Sequence, residues 1–252
     1  MFHLYKRSRL LFAVLMCFTA TTLGTAEAGI TVPVRAPVVM ADTVTAGFVG
    51  VAAQGPFDQP VLVKSYSEFE AVFGAPGVKA VDRYLANAVE AFFSNGGPQL
   101  YVVRVVDSTP SALLGDALSK TGLAALEMFD DIALIAPPGF SGMTIHNGLI
   151  SHCQKMERFC LLDPTAIDSV PDVINEREQI ETPSGHAGLI FPWVKFVPTG
   201  GSSEVSAPPS GLAAGVYARV TMADGVWKAP AGTTAGLIGA TRLTYAVTTS
   251  DI

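Results

Sequence analysis

The chain has 252 residues, 49% hydrophobic and 15% charged, which is too apolar for a disordered polymer and long enough to bury a substantial core in one large domain or two small ones. So few charges leave a weakly charged surface for a lone monomer, as expected where large areas are covered by self-association. The formal net charge is −6 and no basic run lies beyond the first ten residues, so the electrostatic footprint of a nucleic-acid-binding protein is missing.

Residues 1–28 have the form of a secretory signal peptide: Lys6, Arg7 and Arg9 precede an apolar run over 10–18 that leads to Ala26-Glu27-Ala28. The run is too short to span a hydrocarbon core of about 30 Å, so no stable membrane span is expected. Residues 29–42 carry Pro33 and Pro37 among Val, Thr and Arg, and read as an extended arm.

A β-rich run follows over 43–52, then turn chemistry from Gln54 to Pro60 and a short strand over 61–63. Ser67 and Glu70 have the spacing of a capping box, which predicts a short helix stopped by Gly74. Between residues 81 and 94, Val81, Tyr84, Leu85, Ala88, Val89, Phe92 and Phe93 recur at helical spacing, and Asn95-Gly96-Gly97 supplies a left-handed stop. The apolar run over 100–106 predicts a strand buried on both faces. After a linker over 108–121 the pattern alternates: strand over 132–136, helix over 147–158, strand over 159–162, helix over 171–180, strand over 187–191. Such alternation implies an α/β fold with a mixed, largely parallel sheet flanked by helices and joined by right-handed crossovers. Residues 198–252 are rich in Gly, Pro, Ser and Thr and show no clear long helix, so β-rich segments are expected at both ends.

Past the leader the cysteines are Cys153 and Cys160, and a helix running through both would hold their Cα atoms about 10 Å apart, beyond disulfide reach. Both are therefore expected as core thiols. His146, His152 and Cys153 match no standard zinc spacing, and no metal or cofactor is expected.

Several stretches stand out together: Ala46-Gly47-Phe48-Val49-Gly50, Gly55-Pro56, the segment 65–74 with Phe69 and Phe73, Phe92-Phe93-Ser94-Asn95-Gly96-Gly97, and Tyr101-Val102-Val103-Arg104-Val105. Further on come Phe191-Pro192-Trp193-Val194-Lys195, Pro208-Pro209-Ser210-Gly211, Ala214-Gly215-Val216-Tyr217-Ala218-Arg219 and Gly225-Val226-Trp227-Lys228-Ala229-Pro230-Ala231. In this order they resemble the contractile phage tail sheath protein family and its subtilisin-like domain. The resemblance divides the chain into an N-terminal part of the sheath core, 43–107, and a subtilisin-like domain, 122–252, that stops before the family's C-terminal domain and terminal strand. It implies a structural subunit of a contractile tail or phage-like injection machine, one that forms rings or a helical sheath around an inner tube, with tube and baseplate proteins as partners. The implied setting is a virion tail or phage-like particle assembled in host cytoplasm, although the leader leaves export open.

The residues expected to carry structural or interface roles are Trp193, Lys195, Pro208, Pro209, Gly211, Tyr217, Arg219, Trp227 and Lys228. Pro208-Pro209-Ser210-Gly211 should turn a rigid extended segment, Gly215 should allow close backbone approach, and Trp227 with Lys228 beside Pro230 could anchor a loop on a neighbouring subunit. No catalytic residues are expected. Gly139-Phe140-Ser141-Gly142 is not a nucleophile elbow, and His186 with Ser141, Ser184 or Ser210 supplies no complete triad. The alternative is an exported or repurposed surface module on the same core, or a non-assembling fragment.

Overall fold

The computed structural model describes residues 44–76, 80–165, 169–180 and 185–248, with side chains omitted at 80–82. The leader over 1–28 and the arm over 29–42 lie outside the described residues.

The chain begins with β1 (Thr45–Gly50), every residue of which is buried, followed by β2 (Val61–Val63) and α1 (Tyr66–Phe73). The cap of α1 lies two residues earlier than the sequence reading placed it. Ser65 Oγ accepts the Glu68 N–H at 3.1 Å, and Glu68 reaches back to the Lys64 N–H at 2.8 Å. Gly74 ends the helix at φ 79°. Helix α2 (Ala80–Ser94) closes as expected, with Gly97 N–H bonded to Phe92 O and Gly96 N–H to Phe93 O, the two bonds of a Schellman stop. Strand β3 (Gln99–Arg104) follows, and Val106, expected inside it, is 69% exposed. Arg104 ends β3 by donating to the carbonyls of Ala52, Ala53 and Gly55 while its guanidinium lies 3.9 Å from the Phe57 ring centroid, so one side chain holds the whole 52–57 turn.

Helix α3 (Pro110–Leu114) and a 3₁₀ segment over Gly122–Met128 lead to β4 (Ile132–Ala136), α4 (Met143–Met156), β5 (Phe159–Leu162), α5 (Val170–Glu178) and β6 (Ala187–Leu189). The main sheet has the order β2-β3-β1-β4-β5-β6, parallel throughout except for β2. This is a doubly wound arrangement: β2 and β3 lie on one side of β1 and β4, β5 and β6 on the other, with helices on both faces. On one face α1, α2 and α6 (Pro209–Asp224) cover Ala46, Phe48, Leu100, Val102 and Leu134; on the other α3, α4 and the 3₁₀ segment cover Val49, Val103, Ile135 and Leu162. Phe48 and Phe92 meet edge to face at 5.7 Å, a contact worth about 1 kcal/mol beyond its area. A second sheet, β8-β7-β9, is antiparallel and built from β7 (Val194–Phe196), β8 (Val205–Ala207) and β9 (Ala240–Leu243).

Two further sequence readings are corrected. Residues 198–252 do contain a long helix, the 16-residue α6, and Pro208-Pro209-Ser210-Gly211 opens it instead of forming a turn: Pro208 is the extended cap and Pro209 occupies the first turn, where a missing N–H costs nothing. The α2–α6 seam is made by glycines, since a Cβ on Gly211 would stand 2.5 Å from Ala88 Cα and one on Gly215 would stand 2.5 Å from Phe92 O. Close approach at Gly215 is thus required, as the sequence suggested.

The cysteines are the second correction. Helix α4 stops at Met156 because Glu157 turns left-handed at φ 53°, and Arg158 N–H returns to Cys153 O at 2.9 Å. The chain therefore doubles back into β5 instead of rising another turn. That brings the Cα atoms of Cys153 and Cys160 to 6.1 Å, and the two form a disulfide buried against Ile150, Leu149 and Leu162.

Candidate functional site

In doubly wound folds ligands bind beyond the carboxyl ends of the parallel strands, so that edge is the first place to look for chemistry. It is closed here by Asp163, which follows β5 and is fully buried. Its carboxylate accepts the Gly139 N–H at 2.8 Å, the Ser210 N–H at 2.9 Å and the Ser210 hydroxyl at 2.7 Å. Helix α6 has no side-chain cap of its own, and Asp163 caps it from the end of a neighbouring strand. Burial outweighs these three donors and pushes the carboxyl up to about 6. His146 lies beside it, with Nε2–H donating to Asp163 O at 3.0 Å and Nδ1 at 3.7 Å from Glu176. Burial pulls its pKa down.

The arrangement ties the end of a strand to the start of a helix. Ser210 is fully buried on Asp163, Ser141 pairs with Thr165, and His186 pairs with Glu157 at 3.2 Å, while Ser184 lies outside the described residues. His152 faces Arg158 at 3.1 Å, and burial, then the Arg158 charge, lowers it to about 4. No group of three or more potential metal ligands occurs among the described residues, and no described helix is long and apolar enough to cross a membrane.

Seven of the nine residues singled out in the sequence are tied into the fold. Trp193 is 6% exposed, donates from Nε1 to Pro164 O at 3.1 Å and packs edge to face on Tyr84 at 5.4 Å. Lys195 donates to Ser206 across the β7–β8 pair. Pro208 and Pro209 start α6, and Gly211 seats it on α2. Tyr217 stacks on Phe159 at 5.7 Å. Arg219 binds Asn95 O at 3.1 Å and Gly236 O at 2.7 Å. Trp227 and Lys228 are exposed, Trp227 by 74%.

Asn95 was legible only as a helix stop, yet its buried side chain holds the C-terminal segment. Nδ2 donates to Ala91 O and Ile238 O, and Oδ1 accepts the Ile238 N–H at 2.8 Å. With Arg219 it fastens residues 234–238 to the α2–α6 pair. Exposed large apolar residues recur in and around this segment: Val226, Trp227, Leu237, Ile238, Leu243 and Val247. Among the described residues strand β9 is a sheet edge, with Thr241, Arg242 and Leu243 exposed. An apolar strip beside an open strand edge is suited to protein contact.

Two solved structures share the fold. The helical sheath of the anti-feeding prophage in its contracted state superposes with a TM-score of 0.63 at 20% identity over 94% of this chain. The sheath complex of an extracellular contractile injection system, PVC, also contracted, gives 0.61 at 21% identity over 95%. The chain has the sheath fold. It spans 61% and 60% of the length of those two proteins. No family profile and no curated protein sequence matches the chain.

Proposed function

We propose that the chain is a structural subunit that self-assembles into a contractile-sheath-like array around an inner tube and performs no catalysis. The sheath fold over nearly the whole chain carries this reading. The exposed strip from Val226 to Val247 and the open β9 edge support it, because they offer apolar area and unpaired backbone to a second copy. Trp227 and Lys228 are the anchors: both are exposed, and the Trp227 ring is folded over Gly225. Tube and baseplate proteins are the further partners of such an array. The test is negative-stain electron microscopy of the purified protein, alone and mixed with a full-length sheath protein. Rings, tubes or mixed tubes are expected, whereas dispersed monomers under every condition would rule out an assembly subunit.

The Cys153–Cys160 disulfide favours a second reading, an exported surface module built on the same fold, since disulfides persist in oxidising compartments. The leader-like residues 1–28 agree with it. Recovery of the protein from the cytoplasm with both thiols free and residues 1–28 attached would remove this reading.

A further inference from the structure

Residues 115–122, between α3 and the 3₁₀ segment, form a loop closed at its neck: Asp116 N–H donates to Thr121 Oγ1 at 2.9 Å and Thr121 N–H to Asp116 O at 3.2 Å. The neck leaves no room for a side chain, since a Cβ on Gly115 would stand 1.8 Å from Thr121 O. Asp116 Oδ1 also accepts the N–H groups of Leu118 at 3.1 Å and Ser119 at 2.7 Å. Lys120 Nζ lies 3.1 Å from Glu127, and Gly122 N–H reaches Asp58 Oδ1 at 2.8 Å. At the tip of this braced loop Leu118 is 94% exposed, more than any other large apolar residue among those described. A leucine held out in water by an already ordered backbone adds nothing to the core, and little backbone freedom is lost when it docks.

A cleft of about 170 Å³ lies among α2, α6, the end of β7 and the segment before β9. Ala91, Phe196 and Leu212 line it and are buried, while Val197 and Ile238 line it and are exposed. Glu90, the one charged residue on its lining, has Oε1 on the Thr199 N–H at 2.7 Å and Oε2 closed off from solvent, so the cleft offers chiefly apolar contact. Its volume is that of about six waters at roughly 30 Å³ each, room for one isobutyl side chain and below the roughly 300 Å³ of pockets for drug-sized ligands.

We infer that Leu118 of one copy seats in this cleft of the next. The cleft lies on the sheet face covered by α2 and α6, and the loop springs from the face covered by α3 and the 3₁₀ segment, so each copy carries the two halves of the contact on opposite sides of its main sheet. A contact between unlike patches leaves one loop and one cleft free at the ends, and repeats into a ring or a helical row instead of stopping at a two-fold dimer. Ile238 belongs also to the exposed surface over 226–247, so the seat continues the area proposed above for a second copy. The inference rests on the assembly reading and names the residues through which neighbours meet.

The experiment is sedimentation velocity over a range of protein concentrations on wild type, Leu118→Asp, Ser94→Trp and an equimolar mixture of the two variants. Leu118→Asp removes the knob, and Ser94→Trp, at an exposed position on the cleft lining, fills the seat. Because both positions are exposed, both variants should unfold thermally as wild type does. Wild type should self-associate, and each variant alone should do so about tenfold or more less tightly. The mixture should recover association that neither variant shows alone, because Ser94→Trp copies keep the knob and Leu118→Asp copies keep the cleft. Variants that associate as tightly as wild type, or a mixture no more associated than its components, would overturn the inference and leave the assembly reading standing. Wild type that stays monomeric throughout would overturn the assembly reading, and the inference with it.

Discussion

Replacing Asp163 by Asn should change how stability depends on pH. The carboxyl is held at about 6 against an ordinary 3.8, because burial outweighs the bonds from Gly139 and Ser210. That gap corresponds to about 3 kcal/mol of linkage. The folded state binds the proton more tightly than the unfolded state, so the contribution is fully present below pH 3.8 and is lost as pH rises through about 6. Between about pH 4.5 and 7.5 it amounts to about 2 kcal/mol. His146 and His152 act in the opposite sense: both are lowered by burial, so their contribution is present above their ordinary value of 6.5 and is lost as pH falls. Both histidines remain in the Asn variant, as does the Asp163 carbonyl that His146 binds, so the difference between the two proteins isolates the carboxyl. Urea unfolding across this pH range should show wild type gaining about 2 kcal/mol over Asp163→Asn on acidification. A difference that stays constant to within about 0.5 kcal/mol would refute the assignment.

Other changes probe the parts that hold the proposed surface. Gly215→Leu drives a side chain against the Phe92 carbonyl and Asn95, and should cost about 3 kcal/mol by thermal unfolding. Asn95→Ala removes both bonds to Ile238 and should cost about 1–3 kcal/mol, with faster amide hydrogen exchange at Ile238 while the β1 amides keep their protection. Reducing the Cys153–Cys160 bridge opens a short loop and should cost roughly 2 kcal/mol, read as a lower urea midpoint in reductant.

The main sheet was legible because its strands are short apolar runs bounded by turn residues and because α2 repeats its apolar positions at helical spacing. Helix α6 was not legible, for a physical reason. It is buried nearly all round by Pro209, Ser210, Gly211, Ala214, Gly215 and Ala218, so no polar face marks a period, and its two glycines, unfavourable in isolated helices, are there for the seam with α2. The disulfide was hidden by one residue: carrying the helix through Glu157 separates the cysteines, whereas its left-handed turn brings them together. The start of α4 at Met143, four residues before the expected position, follows from Ile145 and His146 being buried core residues. Among the candidate residues, type predicted importance but not location. Trp193 and Trp227 are equally large, and only the fold shows one inside and one at the surface. Asp163 carried a weak signal, an acid directly after the apolar run Phe159-Cys160-Leu161-Leu162, where a charge is kept only if something binds it.

The most direct test of the central claim is cryo-electron microscopy of particles formed by the protein with a full-length sheath protein, at a resolution that places side chains. The account predicts that this chain occupies subunit positions of the array with Val226, Trp227, Leu237 and Leu243 buried against a neighbour. Particles that exclude the chain, or that include it with residues 226–247 facing solvent, would contradict it.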